Sequence, residues 1–272
     1  MRKFYLAIPV SLALCSIAQA EVTNCTAITS LPAAINQPGI WCLNSDLSTN
    51  IRRNAIIKIT AAGVTLDLNG HTLSGLPGGT TTGAVGIFVS NTTGVTVRNG
   101  AVRGFGTGVL LNGAASAGHV IERLTVDQSR SIGIMAQGNG IVLRDSRVTN
   151  TVSTAEDANA IAVKFDQSTN ITIRDNQITN TQGNGISTGY ALIVNNTSNA
   201  DIEGNTIRGY GYGILADSSP NLMVNRNVLW SGGFGITTQN SSQATCTNNV
   251  VNNDNANVDP NCSYKGGNLA PF

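Results

Sequence analysis

Charge, aromatic rings and histidine are all scarce in this sequence. Charged residues are 11% of the 272 and the net charge is +1, which excludes nucleic acid as a partner, because that binding needs a basic patch to displace counterions. Aromatics are 5% of the chain, so where they recur at a fixed interval the interval is informative. The two histidines, His71 and His119, share no spacing, and the cysteines form no CxxC pair, so nothing supports a zinc-type site. His119 falls at an inward position equivalent to Val95 and Ile171 and reads as a packed side chain. No apolar run is long enough and suitably flanked to span a bilayer.

What the sequence does have begins with an export signal. Residues 1–20 carry Arg2 and Lys3, then an apolar run, then Ala18 and Ala20, the pattern of a cleavable secretory peptide. The mature chain is expected to start near Glu21 and to be secreted or periplasmic. Export makes disulfides chemically permitted. Of three possible connectivities, the close pairs Cys25 with Cys42 and Cys246 with Cys262 are expected.

The rest of the chain repeats itself. Ala191 opens a unit of short strand, polar turn, alternating strand, Asn and third strand; Gly213 and Gly235 open the same unit, each 22 residues on. A period in the low twenties, with units too small to bury their own apolar side, specifies a solenoid of about eight stacked coils. Aligning the units on a small residue followed by an apolar one selects Gly86, Gly108, Gly133, Ala160, Ala191, Gly213 and Gly235. Extra residues gather before the first strand, at 73–85, 148–159 and 179–190, so one edge carries longer loops. Residues 21–54 do not fit the repeat and are read as an N-terminal cap, 55–251 as the coils, and 252–272 as a C-terminal cap or tail.

Strand alternation sorts inward from outward positions. Val, Ile and Leu at the first, second and third strands form interior stacks whose burial holds the fold. Asn176, Asn205, Asn227 and Asn249 share one turn position and are expected to form an asparagine ladder, Asn tolerating the left-handed bend there. On the second strand, Arg98, Glu122, Arg144, Arg174 and Glu203 form a column of alternating sign, read as a surface ion-pair ladder.

These strands, the IxxNxI turns and the opening VTLDLNGHTLSG (64–75) resemble the right-handed parallel β-helix repeats of the pectate-lyase-like superfamily, over about residues 55–251. The resemblance implies a single all-β right-handed parallel β-helix with three short strands per coil. Exported proteins that bind or cleave polysaccharides are common in that superfamily. The motif sets of its pectate lyases, polygalacturonases and alginate epimerases are absent, and VDPN at 258–261 lacks the His and the final Asp of the last of these. Fold alone does not carry an activity across.

Outward positions supply the candidate sites. Phe88, Leu110, Met135, Ala162, Ile193 and Leu215 should form an exposed apolar stripe, which either binds a ligand or is covered by another part of the chain or a second subunit. Tyr190, Tyr212 and Phe234 are one unit apart, with Trp230 and Tyr210 nearby; outward, their rings could stack on sugar, and inward they would support the fold. A polar row at the end of the same strand reads Ser90, Asn112, Gln137, Lys164, Asn195, Asp217 and Gln239. For cleavage of a uronic acid polymer by β-elimination, Lys164 is the candidate base, with Asp157, Asp166 and Asp217 as candidate calcium ligands. For glycosidic hydrolysis, Asp166 with Asp217 is the best carboxylate pair. The expected ligand is thus an acidic polysaccharide or oligosaccharide; a catalytically silent structural or adhesion solenoid, associating through the stripe, is the rival reading.

Overall fold

The structure, a computed structural model, describes residues 24–113, 115–153, 160–181, 189–253, 256–258, 261–262 and 266–269. Its strands form two parallel sheets, one of ten strands and one of seventeen, in which each strand pairs with its counterpart a coil earlier and a coil later. This is a parallel β-helix. Among the described residues the single helical element is the 3₁₀ turn Leu76–Gly78, and no helix is long and apolar enough to cross a membrane.

The chain turns between strands on single residues in the left-handed region. Asn196, Ser218 and Asn240 take that conformation at one bend, and Asn170, Asn199 and Asn221 at the next. Asn and Gly reach it at least cost, which explains their abundance. At the third bend the left-handed residues are Asp175, Arg226 and Asn248. The ladder asparagines therefore do not make the bend themselves, as expected from their residue type, but follow it by one position.

Their role is to satisfy a buried turn. The Asn176 amide donates to Asn205 Oδ1 at 3.0 Å, Asn205 to Asn227 at 2.9 Å and Asn227 to Asn249 at 3.1 Å, while each also donates to a main-chain carbonyl. A second ladder, exposed and not foreseen, runs from Asn221 through Asn199 and Asn170 to Asn139. The second-strand ion pairs form in part: Arg98 reaches the fully buried Asp67 at 2.8 Å and Arg144 reaches Glu122 at 2.5 Å.

Inside, aliphatic side chains stack in register. Ile57, Ile87, Val109, Ile134, Val163, Leu192, Ile214 and Ile236 occupy one file of the ten-stranded sheet and all are buried. The third-strand file of Val102, Val126, Val148, Ile178, Ile207 and Leu229 is as expected. Both expected disulfides are present, Cys25–Cys42 and Cys246–Cys262. Residues Ala33–Ile35 and Gly39–Cys42, in the segment read as a cap, already pair in the register of the following coil.

One coil is shifted from the sequence alignment. Ala162, not Ala160, stands in the corner file of small residues, because Ile134 pairs with Val163 and Ala136 with Phe165. Phe165 is then fully buried. A shift of two residues leaves Val163 inward and Lys164 outward, so alternation past the corner cannot detect it; Ile161 and Ala162 exchange sides at the corner, and burying the Phe165 ring decides it.

Candidate functional site

The outer face of the ten-stranded sheet displays three parallel files. Each strand bends at its corner residue, so the sequence order is out, in, in, out, in, out, as the burial of Tyr212–Asp217 illustrates. The first file reads Val85, Thr107, Ile132, Ile161, Tyr190, Tyr212, Phe234. The second reads Lys58, Phe88, Leu110, Met135, Lys164, Ile193, Leu215, Thr237. In the third, Ser90 pairs with Asn112, and Asp166, Asn195, Asp217 and Gln239 follow one another.

The coil shift corrects two expectations here. Ala162 leaves the apolar stripe for the interior, and Lys164 takes its place between Met135 and Ile193. A continuous greasy stripe is thereby broken by a cation, and Phe88, Leu110, Met135, Ile193 and Leu215 are each half-buried rather than bare. Asp166, not Lys164, stands in the polar row beside Asn195.

Lys164 and Asp166 nevertheless meet. Lys164 Nζ lies 3.3 Å from Asp166 Oδ2, and Asp166 Oδ1 accepts from the Asn195 amide at 3.1 Å. Asp217 stands two rungs beyond Asp166, roughly 10 Å away at about 4.8 Å per rung, with Asn195 between them. Its Oδ1 accepts from Asn240 at 3.0 Å and Ser218 at 3.2 Å. Calcium takes six to eight oxygen ligands, whereas both Asp166 oxygens are engaged by nitrogen groups. Among the described residues no group of three or more His, Cys, Asp or Glu is placed to hold a metal. Asp157 lies outside the described residues.

The three rings spaced by one unit point outward, and they stack on one another. Tyr190 and Tyr212 have centroids 4.6 Å apart and planes 18° from parallel; Tyr212 and Phe234 are 5.1 Å apart at 14°. Both faces of Tyr212 are thus occupied, and a ligand meets ring edges rather than the flat faces the spacing alone suggests. Burial and the neighbouring phenol push the Tyr190 hydroxyl pKa up. With Leu215, Thr237 and Gln239 the rings line a shallow pocket of about 280 Å³. Trp230 does not join them: it lies on the seventeen-stranded sheet, with the Arg208 guanidinium 4.0 Å over its ring. Tyr210 is fully buried, and burial pushes its hydroxyl up to about 12. His119 is buried as expected, its Nδ1 accepting from the Val95 N–H at 3.1 Å and its Nε2 3.1 Å from Ser116 Oγ.

The sequence matches the family model of the right handed beta helix region over residues 38–197 and 140–267. The chain belongs to this right-handed β-helix family. No curated protein matches it. Among solved structures, this β-helix is similar to the Dettilon tailspike protein at 15% identity and a TM-score of 0.46, covering 90% of this chain and 57% of that one. It is similar to the enzymatically active domain of bacteriophage CBA120 tailspike protein 2 at 12% identity and 0.46, covering 89% and 38%. A third is the A-module of the Azotobacter vinelandii mannuronan C-5 epimerase AlgE6, at 14% and 0.42, covering 86% and 81%. The β-helix thus spans little more than half of the first tailspike and less of the second. Likeness at this level speaks to the fold alone.

Proposed function

We propose that this β-helix is an exported protein that binds an acid-bearing extracellular polysaccharide along the outer face of the ten-stranded sheet. The observation that carries this reading is the adjacency of two files on one continuous surface. One is Tyr190, Tyr212 and Phe234; the other is Asp166, Asn195, Asp217 and Gln239, with Ile193 and Leu215 between. A sugar chain presents apolar C–H surface and hydroxyls together, and such a face offers ring edges for the first and amide or carboxylate oxygens for the second, repeated at every rung. Two disulfides fit the oxidising compartment that the leader implies.

The roles we assign to Lys164, Asp166 and Asp217 are in binding. Lys164 is engaged by Asp166, and Asp166 in turn by the Asn195 amide, so the pair forms a fixed polar contact on the face. The test is affinity electrophoresis of the mature protein through gels containing each of a panel of extracellular polysaccharides. Retardation by at least one, weakened in Asn195→Ala and Tyr212→Ala, is expected. Unretarded, folded protein across the panel overturns the reading, and a trimer that buries the face by light scattering replaces it with the structural one. New reducing ends or unsaturated products would extend binding to cleavage.

A further inference from the structure

The outer face is poor in cations, and where those cations stand sets a limit on the charge of the ligand. Lys58 and Lys164 share one file, separated by Phe88, Leu110 and Met135. That is four rungs, roughly 19 Å at about 4.8 Å per rung. Lys164 is neutralised from within by Asp166. Lys58 is exposed and, among the described residues, pairs with no carboxylate. It overhangs a pocket of about 460 Å³ lined by Asn54, Ala55, Val85, Phe88 and Leu110. Arg53 and Arg130 lie in the bends before the face strands, off the files.

We propose, resting on the polysaccharide reading above, that the ligand is a heteropolysaccharide whose anionic groups are far apart, one of them seated at the Lys58 pocket, and not a polyuronate with a carboxylate on every sugar. A dense polyuronate laid on this face places carboxylates over the half-buried Phe88, Leu110 and Met135, where no counter-charge meets them, and then beside Asp166 and Asp217. Each costs desolvation or like-charge repulsion. A single carboxylate at Lys58 gains a charge-assisted contact, with the Asn54 amide at the same pocket wall. The neutral sugars that follow lie on apolar floor and then on the ring and amide files, where no net charge is wanted.

The test is calorimetry of the mature protein with three kinds of glycan: heteropolysaccharides carrying one uronic acid per repeat of several sugars, their carboxyl-reduced derivatives, and polygalacturonate. At least one native heteropolysaccharide is expected to bind about tenfold more tightly than its reduced form or polygalacturonate. Lys58→Gln is expected to remove the advantage over the reduced form and Lys58→Arg to keep it; Lys58 is exposed, so both variants are expected to fold, which circular dichroism checks. Tighter binding of polygalacturonate, or an advantage that survives Lys58→Gln, overturns the spaced-charge inference and leaves polysaccharide binding standing. Binding to no glycan overturns the parent reading and this one with it.

Discussion

Tyr190 and Tyr212 lie ring on ring with 4.6 Å between centroids, and Tyr212 repeats the contact with Phe234 at 5.1 Å. The middle ring therefore contributes to two stacks and, among the described residues, Tyr190 to one. Tyr212→Ala is expected to cost about 3 kcal/mol and Tyr190→Ala about 1 kcal/mol less, since each stacked pair adds about 1 kcal/mol beyond area burial. Denaturant unfolding of the two variants measures the difference; equal costs would mean that the stack contributes nothing beyond area.

The two asparagine ladders should respond very differently to substitution. Asn205 is fully buried and serves Asn176, Asn227 and the Ile173 carbonyl. Asn205→Ala strands buried donors and acceptors and is expected to cost about 2–3 kcal/mol. Asn199 makes the same amide contacts in the exposed ladder, where water replaces them. Asn199→Gly, which keeps the left-handed bend free of strain, should cost under about 1 kcal/mol, and chemical denaturation compares the two directly.

His119 makes stability depend on pH. Its Nδ1 accepts a main-chain hydrogen bond from Val95, so the proton of the neutral ring sits on Nε2, facing Ser116. Burial lowers its pKa, against smaller opposing contributions from hydrogen bonds to Thr92 and Val95. A depressed folded-state pKa means that the unfolded chain takes up the proton first. The contribution of His119 is thus fully present above the unfolded pKa of about 6.5 and falls as the pH drops below it, by at most about 1.4 kcal/mol per pH unit. Unfolding midpoints between pH 8 and 5 should show that decline, and His119→Gln should flatten it.

The shifted coil can be tested by cross-linking. Met135 and Lys164 are lateral partners on the outer face, about 4.8 Å apart, within the Cα separation a disulfide spans. The double variant Met135→Cys with Lys164→Cys is expected to cross-link on mild oxidation. Met135→Cys with Ala162→Cys should not, because Ala162 faces the interior. The reverse result would restore the alignment on Ala160.

The parts of this molecule that repeat were readable from letters alone. Tyr190, Tyr212 and Phe234 recur at 22 residues, and they stand in file because gapless units allow one register. Lys164 was misplaced because the segments before it and after it carry the longest insertions. Nothing in residues 148–190 says which small residue, Ala160 or Ala162, turns the corner. The exposed ladder has a signal in the sequence, an Asn four residues after Asp166, Asn195 and Asp217 at Asn170, Asn199 and Asn221; Asn139 stands one position earlier in its coil, opposite Thr169.

Periodicity settled the fold and the composition of the core, because a parallel coil maps chain distance onto stacking distance and each file needs one kind of side chain, and the close spacing of two cysteines at each end settled the disulfide pairs. It could not settle the face. Whether Lys164 breaks an apolar stripe or ends a polar row, whether Tyr212 offers a flat ring or an edge, and whether Asp166 meets Lys164 or Asp217 all depend on a shift of two residues and on ring orientation. Past the corner residue alternation is blind to the first, since two steps along a strand return to the same side, and residue type is blind to the second, since packing against the next rung sets it.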